Sequence, residues 1–318
     1  MQCSVTPPPG VLFHGEVRPI RILSIDPPWG DEDTGRKHFG LAAVDASDPG
    51  GEVTIGALPA AHGRFLETIG QVRDRLGVFD LVLLDQPIGG GGGPDWQSRY
   101  RPVERAFGNS AWAQGALGRF QCPRFQPGGL FAEAGLARAK ACLEALGAPG
   151  GIVVESFPQL TIPSLLVFAG AVGIDFGAIQ RLKSHKAGPE ASAAQDQLVR
   201  IFEAWSGRTV HSAGLGRDAR GRSDAVDALL ALLPALEWAA PSPARGEAWS
   251  LPLWLNALDP GPALLPTLAC KHRRPEARAR WASPLIPAEA GSPGIRTDGL
   301  ISMAIPGWLP PAAPARRL

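Results

Sequence analysis

The chain has 318 residues, 45% of them apolar, enough for one large hydrophobic core or two modest ones. Its 31 Lys and Arg against 30 Asp and Glu leave a formal charge of +1, so no global field draws in nucleic acid or a membrane, and such a partner must be met by a local patch. The four cysteines, Cys3, Cys122, Cys142 and Cys270, lack CxxC spacing, which argues against a disulfide framework or a structural zinc site and fits a reducing compartment.

Residues 21–26 (RILSID) are a short apolar run ending in an acid before Pro27, Pro28 and Gly30, as a buried strand ends at a turn. The runs 39–44 (FGLAAV) and 52–55, separated by Asp48-Pro49-Gly50-Gly51, predict two hairpin-paired strands. Over 61–76, Phe65, Ile69, Val72 and Leu76 recur at spacings of three and four, the stripe of an amphipathic helix. The nearly continuous apolar run 79–84 (FDLVLL) predicts a strand covered on both faces, ended by Asp85, Gln86 and Pro87. Five glycines at 89–93 then form a flexible loop or a close backbone approach, and no G-K-[ST] follows to make a P-loop. An alanine-rich helix is predicted over 129–146, and 152–155 (IVVE) is a third apolar run ending in an acid. Helices over 160–172, 191–205 and 224–238 follow, the last interrupted by Pro234.

Three consecutive strands followed by βαβ crossovers predict an α/β fold, an RNase H-like mixed five-stranded sheet of order 3-2-1-4-5 with helices on both faces. The domain is expected over 20–240, after an N-terminal tail at 1–19. Residues 241–318 read as an irregular Pro/Arg-rich extension, with an aperiodic basic run at 271–280 (KHRRPEARAR) and a strand within 297–308 closing on the core. The opening MQCSVTPPPG lacks a basic leader followed by an apolar run, so a cytoplasmic protein is expected. Pro158, Pro163, Gly170 and Gly173 interrupt the apolar stretch 157–176, which argues for a buried helix and against a membrane partner.

Asp26, Asp85 and Glu155 each end a predicted buried strand, at the edge where open α/β sheets bind ligands. Neighbouring strands about 4.8 Å apart would bring such side chains within reach of one ion, and carboxylates that close repel unless a cation or base relieves them. Asp224 and Asp227, three apart at the start of the last helix, share a face that can look at the strand ends. Hard oxygen ligands suit Mg²⁺ or Mn²⁺, and a pair of such ions would activate a water for phosphodiester hydrolysis. Each acid also has a plain reading. Asp26 and Asp85 can cap turns before proline, and Asp224 and Asp227 can sit in a first helical turn and suit its dipole. What favours the sharper reading is that chain-distant segments all bear acids at one edge.

The segments ILSIDPPWG (22–30), LVLLDQPIG (81–89), GIVVESFPQL (151–160) and SDAVDALLAL (223–232) resemble, in order, the motifs of the bacterial and archaeal domain of unknown function 429 family of predicted RNase H-like nucleases. The last is also similar to the D-x-x-D-A helix of RuvC-like Holliday-junction resolvases. The resemblance covers roughly 20–240 and implies an RNase H fold and a metal site mapping onto Asp26, Asp85 and one or both of Asp224 and Asp227, with Glu155 a weaker ligand. The glycine run and the basic extension depart from the family pattern, while RYRPVERAFG (99–108) and RLKSHKA (181–187) loosely match its basic stretches.

The expectation is therefore a divalent-metal-dependent nuclease, with Asp26 bridging metals, Asp85 and Asp227 completing the site, and Asp224 or Glu155 assisting. Its partner would be nucleic acid, with DNA and RNA both open. Arg217, Arg220, Arg222, Lys183 and Lys186 are either phosphate contacts or a solvated surface. Trp29 and Trp96 can stack on bases. His38, His62, His185 and His211 lack metal-pair spacing and receive no role, and Ser98, Ser110 and Cys122 have no base partner for covalent catalysis. Two rivals are an actin-like ATP-binding phosphotransferase, which should show a duplicated core, and a non-catalytic RNase H-like binding scaffold.

Overall fold

The computed structural model describes residues 21–28, 38–48, 50–59, 65–88, 132–180, 183–212, 219–239, 247–250 and 302–305. The elements are β1 (Arg21–Asp26), β2 (His38–Asp45), β3 (Val53–Pro59), α1 (Phe65–Leu76), β4 (Phe79–Leu84), α2 (Ala132–Leu146) and β5 (Gly147–Glu155). They continue with α3 (Pro158–Val172), α4 (Ala191–Ser206), β6 (Val210–Ser212), α5 (Ala219–Ala239), β7 (Glu247–Ser250) and β8 (Ser302–Ile305).

The apolar runs form a mixed sheet of six strands, ordered β6-β3-β2-β1-β4-β5. The expected sheet had five, and the difference is β6, a three-residue strand parallel to β3 at its outer edge. Its sequence, VHS, is too short and polar to show strand periodicity. What positions it is its surroundings. Val53 N donates to Thr209 O at 2.9 Å, and the buried Arg208 guanidinium reaches the carbonyls of Asp45 and Gly51, each at 3.2 Å. The β1–β2 and β2–β3 pairings are antiparallel, whereas β1–β4 and β4–β5 are parallel. Among the described residues there is one such sheet and no second copy of it.

Side chains alternate across a strand, so the sheet has two apolar faces. Leu23 and Ile25 of β1, Val82 and Leu84 of β4 and Val153 of β5 pack with α1 and α2 in one core. The expected stripe is present there, since Phe65, Ile69 and Val72 of α1 are buried. Ile22, Leu81, Leu83, Ile152 and Val154 face the other way, into a core with α3, α4 and α5. Trp205 lies against Phe168 with ring centroids 5.0 Å apart, an aromatic pair worth about 1 kcal/mol beyond its buried area.

Helix α5 is buried from Ala225 to Leu236, because it lies between the sheet and α3 and α4 and also meets β7 and β8. Its continuous apolar run at 228–233 (ALLALL) suits such a position. It starts at Ala219, earlier than the sequence suggests, and Pro234 does not interrupt it. The helix runs on to Ala239 despite the hydrogen bond that proline removes. β7 and β8 pair antiparallel and contact α5, so the expected closing strand within 297–308 is Ser302–Ile305, and its partner Glu247–Ser250 had no sequence signal.

One contact fixes α5 over the strand ends. A Cβ on Gly40 would lie 1.9 Å from the Asp224 carbonyl oxygen, so helix backbone rests directly on β2 at the residue paired with Asp26. Gly40→Ala is expected to destabilise the protein by at least about 3 kcal/mol, because backbone and not a flexible side chain must yield. Urea unfolding at fixed pH measures this, and a loss below about 1 kcal/mol would mean that α5 is not seated there.

Candidate functional site: a carboxylate cluster around Lys186

Strand β1 delivers Asp26 to the carboxyl edge of the sheet, and β4 delivers Asp85 beside it. The parallel pairing reaches Ile25↔Leu84, and Asp85 N donates to Ile25 O at 2.9 Å, continuing the ladder past the strand's end. Ile22 on β1 and Leu81 and Leu83 on β4 face α5, so the two-residue alternation turns Asp26 and Asp85 toward α5 as well. Behind the sheet, Arg138 of α2 donates to Pro28 O at 3.0 Å and to Gln86 Oε1 at 2.8 Å, joining the turns that follow the two strands.

Glu155 joins this group only at its margin, where its charge helps to raise the Asp85 carboxyl. It pairs with Leu84 rather than with Asp85, and so takes the face of Leu84, toward α1 and α2. There its buried carboxylate accepts a hydrogen bond from Ile88 N at 2.9 Å, which holds the turn after β4.

Asp224 and Asp227 share a face of α5, in the second and third turns of a helix that begins at Ala219, so neither caps its first turn. They meet Asp26 through Lys186, which lies in the loop between α3 and α4. Lys186 Nζ is 2.9 Å from Asp224 Oδ1 and 3.4 Å from Asp26 Oδ2, and it forms an ion pair with Asp227 Oδ2. The other oxygen of Asp227 is 2.8 Å from His185 Nε2. Both oxygens of Asp227 are thus engaged by nitrogen bases. The loop itself is anchored, since Gln195 of α4 donates to His185 O at 2.7 Å and Lys186 N donates to Lys183 O at 3.0 Å.

Lys186 and His185 are the residues that sequence reasoning undervalued. They lie in an aperiodic loop, and only the rarity of a His-Lys pair between two apolar helices could have drawn attention to them. The other basic candidates go elsewhere. Arg222 pairs with Asp196 and contacts Ser192 Oγ at 3.3 Å, Lys183 is exposed, and His211 meets Glu52 at 2.8 Å. Trp29, Trp96, His62, Ser98, Ser110, Cys122, Arg217, the side chain of Arg220, the glycine run 89–93 and the segments 99–108 and 271–280 lie outside the described residues.

Burial and mutual repulsion set the charges. Burial pushes the Asp26 carboxyl up to about 8; the Lys186 ammonium opposes the rise, and Asp227 and Asp224 add to it. Burial likewise raises Asp85 well above its ordinary range, with repulsion from Asp26 and Asp227 contributing. Asp227 goes the other way. Its burial is outweighed by Lys186 and His185, which hold it well below the usual carboxylate range. Lys186 is opposed by its own burial, yet Asp227, Asp26 and Asp224 push it well above its ordinary value, so it stays charged. The cluster therefore contains more carboxylate than its one ammonium can hold ionised at neutral pH.

Among the described residues, no three His, Cys, Asp or Glu side chains are placed to hold a metal ion as they stand. The donor chemistry nonetheless suits a hard cation, because Asp26, Asp85 and Asp224 offer only carboxylate oxygens. No helix of the described residues is long and apolar enough to cross a membrane. Comparison with protein families, with curated proteins and with solved structures returns no match for the chain.

The shift at Asp26 has a consequence for stability. In the unfolded chain Asp26 loses its proton near its ordinary value of 3.8, whereas in the folded chain it does so only near 8. Between these limits the folded state binds the extra proton, so the contribution of Asp26 to stability falls as pH rises through that window. Asn imitates the protonated acid and does not titrate. Asp26→Asn should therefore gain melting temperature relative to the parent progressively from about pH 4 to about pH 8 and level off above, as read by calorimetry. A difference that stays constant across that range would refute the assignment.

Proposed function

We propose that the chain is an RNase H-like, divalent-metal-dependent nuclease that hydrolyses phosphodiester bonds. One observation carries the reading. Three carboxylates from chain-distant elements, Asp26 of β1 and Asp224 and Asp227 of α5, converge on a single ammonium at the sheet edge, with Asp85, the residue after β4, standing beside Asp26. The strand sequence β3-β2-β1-β4-β5 within the sheet supports the RNase H-like part, as does the antiparallel β2 beside a central β1.

Asp26 and Asp85 are the groups we assign to Mg²⁺ or Mn²⁺, while Asp224 beside them is engaged by Lys186. When bound, such an ion supplies Lewis-acid charge that makes a water more acidic and offsets charge on the departing oxygen. Asp26 and Asp85 must give up their protons to serve as ligands, so affinity for the ion rises with pH through about 8. Asp227 fixes His185 and Lys186 rather than offering an oxygen of its own. Nucleic acid is the proposed substrate, with its phosphate entering at the carboxyl ends of β1 and β4.

Lys186 also favours a second reading. An ammonium that already binds three carboxylates is what a non-catalytic scaffold on this fold would keep in place of metal. Incubation with Mg²⁺ or Mn²⁺ and a panel of single-stranded, duplex, hybrid and branched nucleic acids separates the two. Cleavage should require the ion, stop with a chelator, return with Mn²⁺, and fall roughly 10³-fold in Asp26→Asn, the loss expected when several kcal/mol of charge stabilisation disappear. Absence of any cleavage that depends on Asp26 would favour the scaffold.

A further inference from the structure

Resting on that reading of the site as a metal centre, we propose that Lys186 is its second cation. The site then takes one divalent ion, held by Asp26 and Asp85, while the Lys186 ammonium permanently fills the place among Asp26, Asp224 and Asp227 that a second ion would need.

Three observations carry this. The ammonium is matched to its surroundings, since its three N–H donors meet three carboxylates, at 3.4 Å for Asp26, at 2.9 Å for Asp224 and in an ion pair with Asp227. Asp227 already has a partner on each oxygen, Lys186 on Oδ2 and His185 on Oδ1 at 2.8 Å, so a dication there would compete with both. The loop that carries Lys186 is fixed on both sides of the α4–α5 packing. His185 is 1% exposed, its carbonyl accepts from Gln195 at 2.7 Å, and Ala194 and Leu198 on either side of that residue are in the α5 core.

A second dication bound by Asp224 and Asp227 would share those carboxylates with the ammonium and be repelled by it at close range in a poorly solvated corner. Asp26 is the carboxylate common to both cations, with one oxygen toward Lys186 and Asp85 alongside on the next strand. Lys186 is thus a positioning residue, holding Asp26, Asp224 and Asp227 at fixed spacing and setting how many ions the cluster admits.

Titration of the full chain with Mn²⁺ alone, followed by electron paramagnetic resonance of the free ion and by calorimetry, reads this stoichiometry without any substrate. The parent should bind one Mn²⁺ per chain, and Lys186→Met, close in length but uncharged, should bind two. Two ions in the parent would overturn the proposal and leave the metal reading intact, and this arm stands even where Lys186→Met fails to fold. One ion in both forms would overturn it as well, as would none in the parent and one in Lys186→Met, since the ammonium would then hold the sole site. No Mn²⁺ at millimolar concentration in either form would remove the metal reading itself, and this inference with it.

Discussion

Sheet geometry places the carboxyls of Asp26 and Asp85 on strands about 4.8 Å apart, in a corner from which α5 excludes most water, and α5 adds two more acids. Charges of one sign that close cannot all persist without compensation. Lys186 brings a single positive charge among three of them, and the imbalance that is left pushes Asp26 and Asp85 toward their protonated forms. Neither the strand ends nor the helix face would tolerate this arrangement alone. The loop between α3 and α4, pinned to α4 through Gln195 and to the core through Ile179, is what brings the compensating charge into this corner.

Much of the scaffold was legible because its physics is local and periodic. The runs RILSID and FDLVLL are strands at the expected limits, and the Phe65-Ile69-Val72 stripe is the buried face of α1. The spacing of Asp224 and Asp227 placed both on one helical face, as found. Register was not legible. IVVE resembles the other two acid-ended runs, but a one-residue offset in pairing sets Glu155 beside Leu84 and gives its carboxylate to Ile88 N. A sequence shows where an apolar run ends but not which neighbour its last residue meets. Lys186 was hidden for a related reason, since an aperiodic loop reveals nothing about the distant residues it will contact.

Core and site are coupled at Gly40. The same residue that pairs with Asp26 across β1 and β2 is the floor on which the Asp224 carbonyl rests, so the height of α5 above the sheet and the distance between the two acids are one variable. Hydrophobic packing along Ala225 to Leu236 supplies the force that presses the helix down, and the absence of a side chain at Gly40 sets how far it goes. The stability of the core and the spacing of the carboxylates are therefore not independent properties of this molecule.

The ribbon of β7 and β8 places a constraint on the order in which the chain can be completed. Ser250 pairs with Ser302, so a strand that contacts α5 and α3 is translated long after both helices have left the ribosome. Until then the surface of α5 that meets this strand has no cover from it, on the helix that carries two of the acids. The entropy of bringing two segments together grows only slowly with the number of residues between them, so the delay in synthesis, rather than the separation along the chain, is what the growing chain has to endure.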